Sequence, residues 1–232
     1  MSELLKVPRK SFTAKFTKGI SALAGAVVLT GILAGCGGVT ATELPPVTKD
    51  ESDSNAVLQA LNTAEIISLK KAAISLGDDW TVSADGEKLA ELKGQFIPVL
   101  GDTYNMFSNN GNLVATEAEQ TFKVMRAATL YDAQNEIRGE IQQKFDPFLS
   151  NYTIKDVDGN ILGTAEQKFS LTLNFEIKNA DGTVEYKVKK AALSLGASLE
   201  IERMVEVPAV DAQDAVWMAA IANEAAEAAA QN

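Results

Sequence analysis

Strict alternation between apolar and polar residues constrains the fold of this chain more than any other feature of its sequence. Over residues 169–178 the apolar side chains fall at every second position, and the alternation returns over residues 184–189 after the turn sequence at 179–182. A period of two places successive side chains on opposite faces of a strand. The pattern therefore predicts a β-hairpin with one apolar and one polar face.

Further strands are predicted on both sides of this hairpin. Residues 199–207 continue the alternation, and a shorter hairpin around Asp158 and Gly159 joins residues 152–157 to 161–164. Together these segments predict an antiparallel meander of about four strands with one solvated face. On that face, opposed charges such as Lys187 and Glu202 are expected to pair across strands.

Apolar spacing of three and four residues predicts helices elsewhere in the chain. The strongest candidate covers residues 116–146, where Thr116 and Glu119 have the spacing of a capping box. A C-terminal helix is expected over residues 211–230, with Asp211 as its cap. Weaker helix patterns cover residues 55–76 and 85–100, and the end of the first also suits a strand.

These elements predict an α+β domain. The long helix and the C-terminal helix are expected to cover the apolar face of the four-stranded meander. Residues 55–232 then form a single domain, since they are enough for one sizeable core.

The N-terminal segment has the order of a secretory signal peptide. Five basic residues up to Lys18 precede an apolar run over residues 19–34, and Cys36, the single cysteine of the chain, follows that run. The run is shorter than the roughly 20 residues that a spanning helix needs. An ordinary signal peptide or an uncleaved anchor remain the alternatives.

Residues 33–36, Leu-Ala-Gly-Cys, resemble the lipobox of bacterial lipoproteins. The resemblance covers only the signal segment, and we recognise no family for the part beyond it. It implies cleavage between Gly35 and Cys36 and acyl chains, palmitate among them, on Cys36. Residues 1–35 are then the signal peptide, and residues 36–54, rich in Pro, Thr, Ser and acidic side chains, form a flexible tether.

The lipobox implies a cell-envelope protein that contacts the lipid bilayer through acylated Cys36. In bacteria with two membranes, an Asp after the cysteine resembles an inner-membrane retention signal. Gly37 stands there instead, so the outer membrane is the expected location. The sequence does not decide between general secretion and twin-arginine export.

Composition excludes several classes of function. The chain has no histidine, which removes His-dependent catalysis and His metal sites, and it has no second cysteine for a disulfide or a thiolate site. Its net charge of −10 disfavours nucleic acid as a partner. The calcium-like residues 156–160 lack a closing Glu and are interpreted as a turn. We therefore expect no cofactor, no metal and no catalytic residue.

Three functional hypotheses remain. The first is a non-enzymatic envelope lipoprotein that acts through protein contacts, as an accessory or assembly factor or a surface component. The second is a carrier of an apolar ligand or lipid in a cavity between sheet and helix. The third is a hydrolase based on paired carboxylates. A filled core favours the first hypothesis, and a large apolar cavity favours the second.

Overall fold

The computed structural model describes residues 48–72, 79–97, 101–120, 125–145, 151–168, 174–190 and 197–230. These residues form two α-helices and twelve β-strands. Strands adjacent in the chain pair antiparallel, and the last strand also pairs with the first, so the sheet closes into a barrel. The predicted α+β class, with about four strands covered by helices, is therefore wrong.

The helices are α1 (Glu51–Thr63) and α2 (Ala212–Ala230). The strands are β1 (Ile66–Lys71), β2 (Trp80–Ala84), β3 (Glu87–Ile97), β4 (Gly101–Ser108), β5 (Leu113–Glu119), β6 (Ala127–Asp132), β7 (Ile137–Lys144), β8 (Asn151–Asp156), β9 (Ile161–Gln167), β10 (Asn174–Asn179), β11 (Val184–Lys190) and β12 (Ser198–Arg203).

The core of the protein is the interior of the barrel. In β2, Trp80, Val82 and Ala84 are buried, whereas the two residues between them are partly exposed. Alternation of this kind fills the inner face of a barrel with apolar side chains.

The strand predictions in the C-terminal half are largely confirmed. β10 and β11 pair across the predicted turn, and β8 and β9 form the predicted shorter hairpin. Lys187 lies opposite Glu202 on β12, but Glu202 forms its ion pair with Lys189 instead, at 3.2 Å. The predicted strand over residues 199–207 ends at Arg203, and predicted strand residues 169–173 lie outside the described residues.

The predicted helix over residues 116–146 is wrong, because this segment belongs to β5, β6 and β7. Its supposed capping residue Thr116 lies inside β5, where the hydroxyl group donates a hydrogen bond to Asn105 of β4 at 2.8 Å. Part of the helix-like apolar spacing arises because the four-residue turn 133–136 separates two short strands, β6 and β7. Pairing on both sides within the closed sheet outweighs the helix-favouring Ala, Gln and Glu of these strands.

The two weaker helix predictions fail in the same way. Residues 85–100 contain β3, and the helix predicted over residues 55–76 ends at Thr63, after which β1 begins at Ile66. Five hairpin connections lie at one end of the barrel, which we call the turn rim. They are residues 85–86, 109–112, 133–136, 157–160 and 180–183. The opposite end is called the far rim.

Four successive hairpins share one kind of turn at the turn rim. A polar side chain at the end of the first strand accepts hydrogen bonds from the backbone N–H groups two and four residues further on, and the residue three places on has a positive φ. The turn recurs about every 24 residues, and its accepting residues are Ser108, Asp132, Asp156 and Asn179.

All five hairpins at the turn rim, including the one formed by β2 and β3, also carry a bulge just after the turn. The register shifts there by one residue, so one residue of the second strand has no partner in the first strand. These residues are Leu89, Val114, Arg138, Leu162 and Glu185. The three apolar ones pack in or against the core, whereas Arg138 and Glu185 contact the segment that leads into α2.

Helix α1 lies across the turn rim. The Ser54 hydroxyl group donates to the backbone oxygen of Leu113 on β5 at 3.0 Å, and Arg203 at the end of β12 donates to the backbone oxygen of Thr63 at 2.8 Å. Val57 and Leu61 are buried beneath the helix. Thirteen residues of helix span about 20 Å, which is close to the width of the barrel.

Helix α2, predicted over residues 211–230, is present, but it lies inside the barrel rather than against one face of a sheet. All residues over 212–220 are buried. Side chains of β1, β4, β7 and β11, which stand on different sides of the closed sheet, bond to α2 or to the residue before it. The helix therefore runs through the lumen, from the turn rim to the far rim.

The composition of α2 suits this position. Twelve strands spaced about 4.8 Å apart give a circumference of about 58 Å and a diameter of at least about 18 Å. Side chains from the wall alone do not fill a barrel of this width. A helix about 10 Å across does fill it, and the many Ala residues of α2 keep that helix narrow.

Candidate functional site

The predicted site residues lie outside the described residues. This applies to Cys36, the predicted lipidation site, and to Gly35 on the other side of the predicted cleavage point. The predicted tether over residues 36–54 overlaps the described chain from Thr48 onward, and α1 already begins at Glu51.

Two charged bulge residues hold the start of α2 at the turn rim. Arg138 donates from Nη1 to Gln213 Oε1 at 2.7 Å and forms an ion pair with Asp211. Across the barrel end, the Glu185 carboxylate accepts the backbone N–H of Val210 at 2.8 Å. The bulge position, apolar in the other hairpins, thus carries charge where the chain enters the lumen.

Asp214, in the first turn of α2, is a buried carboxyl group beside this entry. Its Oδ1 lies 3.6 Å from Arg138 Nη1, and its side chain is only 6% exposed. Burial raises its pKa to about 6; Arg138 lowers the pKa, and the nearby Asp211 adds to the rise. The carboxyl group is therefore expected to titrate in a mildly acidic range, inside a packed core.

At the far rim, lysines from two strands hold the other end of α2. Lys71 Nζ of β1 lies 2.9 Å from Glu227 Oε2, and Lys190 Nζ of β11 lies 3.6 Å from Glu227 Oε1. Burial disfavours ionisation of Glu227, but hydrogen bonds from Lys71 and Asn223 outweigh it and lower the pKa. The helix is thus fixed to the wall at both ends.

These two lysines belong to an eight-residue echo in the sequence. Residues 70–77 and 189–196 differ at a single position, and from sequence alone the echo is interpreted as chance or local convergence. Most of both copies lies outside the described residues. In the described part, the second lysine of each copy ends a strand at the far rim and reaches the same carboxylate, so the two copies share a structural role.

A small cleft opens between α2 and the wall formed by β4 to β8. Its lining includes Tyr104, Glu117, Arg126, Tyr152 and Glu224. The Tyr104 hydroxyl group donates a hydrogen bond to the Glu224 carboxylate. Paired carboxylates in a cleft are what a His-free hydrolase would need, but the volume is about 10 Å³, room for roughly one water molecule. A cleft of this volume gives the hydrolase hypothesis no support.

The turn rim has the most unusual outer surface of the described residues. Most large apolar side chains that are exposed in the described part of the chain lie there, and Phe145 at the far rim is the exception. Ile137 begins β7, Val157 follows the end of β8 and Ile161 begins β9, so the three lie at the turn-rim ends of three successive strands. We call these three residues the apolar patch. Farther along the rim, Ile66, Met204 and Val207 are exposed as well.

Sequence reasoning missed the apolar patch, because Ile137 was assigned to the stripe of a predicted helix. The recurrence of a polar residue followed three places later by Gly or Asn, about every 24 residues from Ser108 onward, was the available signal. Read as turns, these positions would have placed both isoleucines one residue after a connection, at one end of a sheet.

Two further properties concern the described residues alone. No group of three or more carboxylate or thiol side chains among them is placed to hold a metal ion. None of the helices formed by these residues has the length and apolar character needed to cross a membrane.

Comparison with known proteins adds no relative. The chain matches no protein-family model, no curated protein and no solved structure.

Proposed function

We propose that this protein is a lipid-anchored, non-enzymatic component of the cell envelope that acts through contacts of its outer surface with other proteins. The observation that carries the proposal is the filled lumen. A carrier barrel keeps its interior free for a ligand. Here Trp217 and its neighbours in α2 occupy the interior and are fully buried. This arrangement favours the contact hypothesis over the carrier hypothesis.

The position of the first described residues supports anchoring by the turn rim. The backbone oxygen of Thr48 accepts the N–H of Leu113 at 3.1 Å, so the chain reaches the barrel at this rim. The predicted lipid site, Cys36, lies twelve residues earlier. Twelve residues of fully extended chain reach about 40 Å. An anchor of this kind would hold the turn rim nearest the bilayer and let the barrel stand off from it.

The charged side chains on the outer wall support a position of the barrel outside the hydrocarbon layer of the membrane. On its C-terminal side, Lys187 lies opposite Glu176 on one neighbouring strand and Glu202 on the other. A wall in contact with lipid would carry an apolar band instead. The acyl chains would then be the membrane attachment, since two or three chains anchor stably where one does not.

The carrier hypothesis remains the second candidate, but it requires α2 to leave the lumen. The ion pairs and hydrogen bonds at Arg138, Glu185 and Glu227 oppose that movement at both rims. Mass spectrometry of the protein extracted from its own membranes separates the two candidates. We expect no co-purifying lipid beyond the acyl chains on Cys36, and a stoichiometric apolar ligand would contradict the contact hypothesis.

Anchoring is tested with the Cys36→Ser variant. We expect the variant to be released from the membrane or to remain unprocessed, since it lacks the thiol that would carry the lipid. Fractionation after a carbonate wash is the measurement. A mature-sized variant that stays with the membrane would show that the lipoprotein interpretation is wrong.

A further inference from the structure

Two residues of the apolar patch stand at a position of the hairpin repeat that is covered by other parts of the chain in another hairpin. Leu113, Ile137 and Ile161 each follow the repeated turn by one residue, in successive hairpins. Leu113 is 4% exposed, since Thr48 and Ser54 bond to its backbone and α1 packs on β5. Ile137 and Ile161 are 57% and 51% exposed. Of these three equivalent positions, the one at Leu113 is therefore covered, and the two at Ile137 and Ile161 are exposed.

The open positions lie on one stretch of the turn rim. β7 pairs with β8 and β8 with β9, so the strand ends that carry Ile137, Val157 and Ile161 follow one another around the rim, with about 4.8 Å between neighbouring strands and about 10 Å between β7 and β9. Val157 is 61% exposed. A contiguous set of branched apolar side chains rimmed by polar ones marks an interaction surface more often than scattered single residues do.

Carboxylates surround the patch and decide what can cover it. Glu136 and Asp158 are exposed beside it, and Asp132 and Asp156 end the adjoining strands. Of the nearby cations, Arg138 is paired with Asp211 at the entry of α2. Lys155, opposite Ile161, donates to the neutral side chain of Gln142 and keeps its positive charge, but the four carboxylates outnumber it. The surface is therefore apolar at its centre and negative at its margin.

This charge favours one occupant over the others. A second copy would bring the same negative margin against it, and a bilayer with anionic lipids would repel it. A protein segment with apolar residues flanked by Lys or Arg would match both the centre and the margin. We propose that the apolar patch is the docking surface for a basic, amphipathic segment of another envelope protein.

This inference rests on the proposed function, because it names the surface through which the protein contacts act. The test places the photo-crosslinking residue benzoylphenylalanine at Asn160, next to the patch, or at Phe145 on the far rim, in the full-length protein in its own membranes. Both positions are exposed, so neither probe disturbs the core. Crosslinked species are identified by mass spectrometry.

We expect the Asn160 probe to give an adduct with one protein, crosslinked within a basic segment. Ile161→Asn should lower the yield about tenfold, since the loss of one buried isoleucine from an interface is of this order. The double variant Glu136→Gln, Asp158→Asn should also lower it and remove its sensitivity to salt. Phe145→Asn, which replaces an equally apolar exposed residue at the far rim, should leave the yield unchanged. Thermal melts of the variants should match the wild type.

Other results overturn the proposal in distinguishable ways. Adducts with lipid, or with a second copy of this chain, would mean that the patch has a different occupant. A protein adduct from the Phe145 probe alone would refute docking at the patch and leave the contact function standing. The absence of a protein adduct from either probe would also refute docking at the patch.

Discussion

Leu113 and Ile161 stand at the same step of the same hairpin repeat, and only one of them is covered. Both follow a turn with a positive-φ glycine, and both precede a bulge that sends the next side chain toward the core. Residues 48–54 cover Leu113, whereas no described element covers Ile161. A repeated hairpin therefore fixes where apolar side chains emerge, and the segments outside the repeat decide which of them become core.

The largest expected effect separates these two positions directly. Leu113→Ala should cost about 2–5 kcal/mol of unfolding free energy, as truncations of buried leucine do. Ile161→Ala should cost within about 0.5 kcal/mol, because the side chain is half exposed. Urea unfolding of both variants measures the difference. Equal losses would mean that residues 48–54 do not cover Leu113 in solution.

A second prediction concerns Asp214, which lies where α2 enters the lumen near the uncovered part of the rim. Its pKa is about 6 in the fold and near 3.8 in the unfolded chain, so the folded state binds the proton more tightly. The protonated Asp214 carboxyl group contributes fully to the free energy of unfolding below the unfolded pKa. This contribution, about 3 kcal/mol, is lost as the pH rises through about 6.

Asp214→Asn removes this titration. Between pH 4 and pH 7.5, the stability difference between the variant and the wild type should shift in favour of the variant by about 2.5 kcal/mol. Urea unfolding across this pH range is the measurement, and Asp181→Asn in an exposed turn is the control. A difference between Asp214→Asn and the wild type that does not change with pH would contradict the burial of this carboxyl group.

A smaller effect tests the covering segment itself. Ser54→Ala removes the hydrogen bond to the backbone oxygen of Leu113 and leaves a buried acceptor, which should cost about 1–2 kcal/mol. Ser52→Ala, two residues earlier on the exposed side of α1, should cost within about 0.5 kcal/mol. Thermal melts compare the pair. If both serines behave alike, α1 does not contact β5 as described.

Part of this fold could be predicted from sequence, and the reason is local. The hairpin of β10 and β11 combines β-branched and aromatic residues with strict alternation and an Asp-Gly turn, so its periodicity is unambiguous. β6 and β7 carry Ala, Gln and Glu at positions that only pairing within the closed sheet holds extended. For them, local preference pointed to a helix and was overridden by strand pairing.

The location of α2 could not be predicted for a different reason. Its Ala-rich sequence predicts a helix correctly, but Ala is compatible with an exposed helix, a bundle or a barrel interior. Only the closure of twelve strands creates a lumen that needs a narrow helix. The candidate docking surface shares this dependence, because Ile137 and Ile161 come to the same stretch of the rim only when β7, β8 and β9 pair in the sheet.

The filled lumen is the central claim, and hydrogen exchange of α2 in the intact protein tests it most directly. Amides buried inside a barrel exchange only when the protein opens, so residues 212–223 should be as strongly protected as the barrel strands. An Ala-rich helix outside the barrel would exchange much faster. Protection of α2 equal to that of β11 and β12 is the predicted result. Fast exchange over residues 212–223 beside protected strands would contradict the filled lumen and the proposed function that rests on it.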